Sequence, residues 1–245
     1  PPPTKPPPPA PALSDARRIG DTSDAGTARL YLFSGLNDQV VKPRIVGKTV
    51  EFYRNLGVPE ANIAAVMDLP AGHAIITLDK GGGCSVNAAP YIVDCDYDQV
   101  GAVFTHLLQP VVQPTGPAQG RFIEFDQHAF ANELRGHGLS TSAMVYVPPV
   151  CEDGGCRVHV AFHGCQQNRN AVAAAFVRDA GYARWADANK IIVLFPEVSE
   201  SALNNPLGCW DWWGYTGRDY LTREGDQITA IRRMLDRLAT PSVGA

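Results

Sequence analysis

The run Ile191-Ile192-Val193-Leu194-Phe195, bounded by Lys190 and by Pro196-Glu197, constrains the fold more than any other stretch. It is short, continuous and apolar, as a central parallel strand is when both of its faces are covered. Covering two faces takes helices on both sides, and the flanking sequence offers them. "AVAAAFVRDAGYARWADAN" (171–189) reads as helix in two pieces around Gly181. "REGDQITAIRRMLDRLA" (223–239) reads as a helix turning Ile228, Ile231, Leu235 and Leu238 inward. Upstream, "ARLYLFSG" (28–35) and "NIAAVMDL" (62–69) read as strands, the second followed by "PAGHAIIT" (70–77). Between them "PRIVGKTVEFYRNLG" (43–57) puts Val46, Val50 and Tyr53 on one helical face, with Gly57 as the stop. "DYDQVGAVFTHLLQ" (96–109) spaces Val100, Val103, Phe104, Leu107 and Leu108 as a helix does. "SAMVYVPP" (142–149) and "RVHVAFHG" (157–164) read as neighbouring strands joined by a tight loop. Strand and helix alternate throughout, so the expected class is α/β with a mostly parallel sheet.

With 245 residues, 45% of them apolar, the chain can bury one large core of this kind. Net charge is -4 with both signs interspersed; no basic stripe points to nucleic acid and no apolar run is long enough for a membrane span. Eight of the first twelve residues are proline, which predicts an extended spacer, so residues 1–27 read as linker or irregular segment and 28–240 as the folded domain. The start has neither the basic nor the apolar part of a signal peptide, and the chain reads as a processed product or a fragment. Six cysteines leave fifteen pairings open; spacing favours Cys84 with Cys95, Cys151 with Cys156 and Cys165 with Cys209. An even count suits an oxidising compartment. "CEDGGC" (151–156) lacks the second Cys or His pair that zinc needs, so neither metal nor other cofactor is implied.

Three strand-exit loops hold reactive groups. "SGLNDQV" presents Asp38, "LPAGHAI" presents His73 beside Gly72, and "VAFHGCQQN" ends a strand with His163-Gly164-Cys165. Ligands of open α/β sheets sit outside the carboxyl ends of the strands. An acid, a base and a glycine turn whose amides can hold an oxyanion are together the parts of a hydrolytic site. Taken singly, Asp after Asn is also a turn former, and Gly-His is also a surface bend.

These residues lie in motifs that resemble the extracellular poly(3-hydroxybutyrate) depolymerases and related esterases of the α/β-hydrolase superfamily, in the branch with a circularly permuted catalytic domain. The matching stretches are "YLFSGLNDQVV", "AGHAI", "CSVNAAPYIVDCDYDQVGAVF", "VYVPPVC", "VHVAFHGCQQ", "GYARWADANKIIVLFPE" and "NPLGCWDWWGY", in the family's order over about residues 28–238. The resemblance implies an α/β-hydrolase-like, mostly parallel sheet in circularly permuted order and a secreted (extracellular or periplasmic) carboxylic-ester hydrolase acting on polyester or small esters. It implies Asp38 as the triad acid, His73 as the base, the backbone N–H of Cys165 as an oxyanion donor and Trp212 in the substrate crevice.

The nucleophile is not implied by any residue present. The family's serine lies upstream of the acid in a G-x-S-x-G elbow, and no such pattern occurs in the chain. Chain order leads to the same place: acid and base precede the "HGC" loop, so the serine belongs before residue 28, where Ser14 and Ser23 stand in polar sequence without a strand-turn-helix pattern. Ser140 in "GHGLSTSAM" is followed by a strand rather than a helix, and Ser142 stands where the elbow needs a small glycine-like residue. The expectation is therefore an incomplete domain without its N-terminal strand and nucleophile elbow, inactive or nearly so alone. The alternative is a non-catalytic descendant that binds polyester or another apolar polymer.

"GCWDWWGY" supplies Trp210, Trp212 and Trp213 in a loop, flat surfaces suited to an uncharged polyester chain. An extended segment would turn Trp210 and Trp212 the same way, and a Cys165–Cys209 bond would staple this loop to the oxyanion turn. His106, His128, His137 and His159 read as structural or solvated, and His163 as a residue that shapes the oxyanion turn without transferring a proton.

Overall fold

The structure is a computed structural model describing residues 9–134 and 136–240. The spacer expected at residues 1–8 lies outside the described residues, and residues 10–12, expected to continue it, are helical. In chain order the elements are α1 (Ala10–Asp15), β1 (Leu30–Phe33), α2 (Pro43–Asn55), β2 (Ile63–Val66), β3 (Ile75–Thr77), β4 (Gly82–Gly83), β5 (Ile92–Asp94) and α3 (Gln99–Leu107). Then follow β6 (Arg121–Asp126), β7 (Ser142–Val147), β8 (Arg157–Val160), α4 (Arg169–Val172), α5 (Ala175–Asp179), α6 (Tyr182–Asn189), β9 (Ile191–Phe195) and α7 (Asp226–Ala239).

Every residue of β9 is buried, as its unbroken apolar run demands. Ile191, Val193 and Phe195 pack on one side with Phe104 of α3, Phe176 and Val177 of α5 and Trp185 of α6. Ile192 and Leu194 pack on the other with Ala230, Ile231 and Met234 of α7. The α/β class and the mostly parallel pairing hold: β1 with β2, β3 and β4 with β5, and β8 with β9 are parallel, while β6 with β7 and β7 with β9 are antiparallel. The strands that lead into the Asp38 and His73 loops, β1 and β2, precede the "HGC" strand, β8, in the chain, as the permuted order requires.

Four details differ from the sequence reading. β7 and β8 are not neighbours, because β9 lies between them in the order β6-β7-β9-β8. The sheet is in three pieces, and β1 and β8 each keep one edge without a ladder partner among the described residues. The helix at 171–189 breaks at Ala173 (φ 52°) as well as at Gly181, giving three pieces. Ile228 of α7 faces water at 45% exposure, and Gln227 turns inward instead because its amide bonds Tyr215, His137 and Asp211.

Several contacts hold the pieces together, two of them spanning long stretches of chain. α3 packs on β1, and its Phe104 ring meets His159 of β8 edge-on at 5.0 Å, so one helix spans both unpaired edges. Arg18 pairs with Asp219 and Glu224, and its carbonyl accepts from Arg223, so the segment before β1 is tied to the loop before α7. Among the described residues no helix is long and apolar enough to cross a membrane.

Candidate active site

The Asp38 loop leaves β1 and lies directly on the loop that leaves β2. Leu36 and Asn37 donate their N–H groups to the carbonyls of Leu69 and Ala71 at 2.8 and 3.0 Å, and the Asn37 amide reaches the Pro70 carbonyl at 2.7 Å. Two glycines permit this approach: a Cβ at Gly35 would fall on the Ala71 carbonyl, and one at Gly72 on the Val86 carbonyl. Asp38, 7% exposed, accepts from the Val40 and Val41 N–H groups at 2.8 Å through Oδ1 and meets His73 Nδ1 at 2.9 Å through Oδ2. A carboxylate at Nδ1 assigns the ring proton to that nitrogen and leaves a lone pair on Nε2. Nε2 bonds nothing among the described residues, and the half-exposed ring faces outward with one edge against Tyr91. The structure thus brings Asp38 and His73 together.

A buried glutamine links this pair to the "HGC" turn. Gln167 accepts from the Gly164 N–H at 2.9 Å and donates to the Tyr91 and Pro90 carbonyls at 3.1 and 3.2 Å. The Cys165 N–H, on an exposed residue, has no acceptor among the described residues, whereas Gln166 N–H is spent on Leu207. His163 sits beneath the turn: Nδ1–H donates to the Gly164 carbonyl at 2.7 Å, and Nε2 accepts from the Val198 N–H at 3.3 Å. Those two bonds use the neutral ring completely. Burial keeps it neutral, pushing His163 below its ordinary pKa and neighbouring Glu197 up to about 7. The 3.6 Å approach of Glu197 to Nε2 is therefore a contact between two reluctantly charged groups and not an ion pair of consequence.

The disulfides are Cys84–Cys95, Cys151–Cys156 and Cys165–Cys209, so the aromatic loop is stapled to the "HGC" turn. The loop is not extended. Asp211 collects the N–H groups of Trp213, Gly214, Tyr215 and Thr216 and the Thr216 hydroxyl, curling the chain around its carboxylate. Trp210 and Trp212 consequently do not point the same way. Trp210 packs on Phe162 and His163, its buried Nε1 without a partner among the described residues, while Trp212 is 70% exposed against the edge of Trp213. Trp212, Leu203, Pro206, Leu207 and Cys165 line an apolar groove of about 520 Å³.

The other candidates stand apart from this chemistry. Ser140 pairs its hydroxyl with Ser199, and among the described residues no histidine bonds it. His106, His128 and His137 bond backbone groups, and His159 lies between Phe104 and Tyr182, where burial pushes it down to about 4. Sequence reasoning missed Asn87, Gln167 and Asp211. Each is a polar residue inside a stretch quoted for its family resemblance, but nothing in its spacing says which distant backbone groups it will meet.

No family model matches the chain. It is 40% identical over 232 residues to a poly(3-hydroxybutyrate) depolymerase of Delftia acidovorans, covering 92% of this chain and 45% of that protein. It is 30% identical over 230 residues to a polyhydroxybutyrate depolymerase of Talaromyces funiculosus, covering 87% of this chain and 67% of the relative. Two solved structures superpose at TM-score 0.83, each covering 91% of this chain and 74% of theirs: a PHB depolymerase from Penicillium funiculosum at 28% identity, and a serine-to-alanine PHB depolymerase variant complexed with an R3HB trimer at 29%. The chain spans just under half the length of the Delftia protein. With relatives of one kind in both sequence and fold, the chain belongs to the polyhydroxybutyrate depolymerase family.

Proposed function

We propose that residues 28–240 are the greater part of a secreted serine carboxylic-ester hydrolase domain of the polyhydroxybutyrate depolymerase type, preceded by a linker or irregular segment at 1–27, whose nucleophilic serine is not among these 245 residues. One observation carries the reading: Asp38 holds His73 through Nδ1 at 2.9 Å and leaves Nε2 unengaged. In the reaction a serine hydroxyl attacks the ester carbonyl as His73 Nε2 takes its proton. Asp38 keeps the imidazole in the required tautomer and stabilises its charge once protonated. The Cys165 N–H, with the amide following the serine, holds the tetrahedral oxyanion; His73 returns the proton to the leaving alcohol, and water then releases the acyl group. The polyester lies across Trp212 and Trp213, with Trp210 supporting the turn from beneath.

The absence of a G-x-S-x-G pattern and the unpaired edges of β1 and β8 support a nucleophile delivered on sequence outside this stretch. Three disulfides support an oxidising, extracellular setting. Removing the nucleophile of a triad costs on the order of 10⁶ in kcat, so hydrolysis of p-nitrophenyl butyrate by this chain alone should be negligible. Turnover that a serine-directed inhibitor abolishes would defeat the proposal. A second reading, a polymer-binding protein without catalysis, draws on the exposure of Trp212 (70%) and Leu203 (95%) in one groove. Adsorption to polyester granules with no turnover, from a coding sequence that carries no strand ending in Gly-x-Ser-x-Gly upstream of Pro1, would favour it.

A further inference from the structure

Asn87 makes four hydrogen bonds, and three of them leave its own loop. Its Oδ1 accepts from the Gln39 N–H at 3.0 Å and from the His73 N–H at 2.8 Å. Its Nδ2 donates to the Asn37 carbonyl at 3.0 Å and to the Ser85 carbonyl at 3.1 Å. The sequence separations are 48, 14, 50 and 2, so only the last bond is local. Two N–H groups face one end of the amide and two carbonyls the other; the flipped orientation would oppose like groups at all four contacts. A primary amide has two donor hydrogens and two acceptor lone pairs, and here all four are used.

Asn87 does not ride on a free loop. Val86 donates to the Gly83 carbonyl and Tyr91 to the Ala88 carbonyl, while Cys84 is bonded to Cys95 at the end of β5 and accepts from the Gly72 N–H at 2.8 Å. The amide is thus a fixed block set between the residues flanking Asp38 and the backbone of His73. We propose that Asn87 is the positioning residue of the acid–base pair: it sets the register of the Asp38 loop against the His73 loop and so keeps Oδ2 within reach of Nδ1. This rests on reading Asp38 and His73 as the catalytic pair, and Asn87 touches neither substrate nor a reacting atom.

The test uses the shared proton, which needs no nucleophile and no turnover. In the intact 245-residue chain, His73 Nδ1–H should give a far-downfield proton resonance, assigned by its loss in Asp38→Asn. Asn87→Ala removes all four bonds, and the proton should then vanish or exchange about tenfold faster, the effect of weakening one charge-assisted bond. The cooperative melt and the dispersion of the remaining amides should persist, which a merely structural loss would not spare. Asn87→Asp keeps the shape and the two acceptor bonds but sets a carboxylate oxygen against the Asn37 and Ser85 carbonyls, so it too should speed exchange of the proton. An unchanged exchange rate in Asn87→Ala overturns the proposal, and if that variant does not fold, an unchanged exchange rate in a folded Asn87→Asp overturns it. Absence of the resonance in the unaltered chain would instead defeat the acid–base reading itself, and the assignment to Asn87 with it.

Discussion

Glu197→Gln tests the buried floor of the "HGC" turn, and its effect follows from burial. Glu197 is 2% exposed; its carboxylate accepts from the Arg169 N–H at 3.1 Å and faces the neutral His163 ring. Desolvation raises its pKa from 4.5 to about 7, opposed by the Arg169 hydrogen bond and charge and assisted by Glu200. A carboxyl whose pKa is raised by folding binds its proton more tightly in the folded chain. Its contribution is therefore fully present below about pH 4.5 and is lost as pH rises through about 7. At about 1.4 kcal/mol per pKa unit, the full swing is on the order of 3 kcal/mol. Glutamine keeps the shape and cannot ionise, so the variant should lack this dependence, while the titration of His163 is common to both proteins and largely cancels in the difference. Urea unfolding with disulfides intact, run in steps from about pH 4.5 to 8.5, should show the unaltered chain losing about 1 M in midpoint relative to Glu197→Gln, given slopes of roughly 3 kcal/mol per M for a domain of this size. Parallel pH profiles for the two proteins would refute the assignment of Glu197 as a buried, proton-retaining acid.

Two further outcomes concern the aromatic loop. Replacing Cys165 and Cys209 together with serine opens a cross-link between residues 44 apart, and the chain-entropy relation puts the loss near 4 kcal/mol, measurable as a lower urea midpoint. Protease cutting in the unaltered chain at 203–207 should be slow and in the variant fast; equal rates would mean that the loop is held without the cross-link, by Asp211 and by Asn205, whose amide accepts from the Cys209 N–H at 2.8 Å and donates to the Cys209 carbonyl at 2.9 Å. Trp212→Ala should leave stability within about 0.5 kcal/mol, because the side chain is 70% exposed, yet reduce adsorption to poly(3-hydroxybutyrate) granules several-fold. Undiminished adsorption would remove Trp212 from the binding surface.

The parts of this fold written in the sequence are those governed by local rules. β9 is legible because a run of five apolar residues, short, rich in β-branched side chains and stopped by Pro196, fits a strand hidden on both faces, and both faces are covered. The Asp38 and His73 loops are legible because Gly35 and Gly72 punctuate the chain just after apolar strands, and the cysteine pairs because spacing favours them. Sheet order was not legible. Cys151–Cys156 makes β7 and β8 look like a hairpin, but the edge that β7 offers is taken by β9, which arrives after three helices and pairs Tyr146 with Val193. In α7, apolar spacing alone points Ile228 inward, whereas Gln227 takes the buried place. An amide that satisfies Asp211, His137 and Tyr215 at once outweighs one isoleucine left in water, since buried polar groups of the loop would otherwise lack partners.

The same reasoning explains why the candidate site was visible and its support was not. Asp38 and His73 announce themselves by residue type, because few side chains can serve as acid and base. Their convergence is a different matter: β1 and β2 are parallel neighbours, which puts both exits at one end of the sheet, but parallel strands set exits only to within a few ångströms. The 2.9 Å contact is completed by groups from elsewhere in the chain. Asn87 comes from between β4 and β5 to hold both loops, and Gln167 comes from beyond β8 to hold the Tyr91 backbone behind the His73 ring. Neither amide carries a charge or a reactive atom, so neither has a chemical signature in the sequence; each is recognisable only by the backbone groups it meets. A chain that kept Asp38, His73 and the "HGC" turn but lost these two amides would still read as a depolymerase and would hold its acid and base loosely.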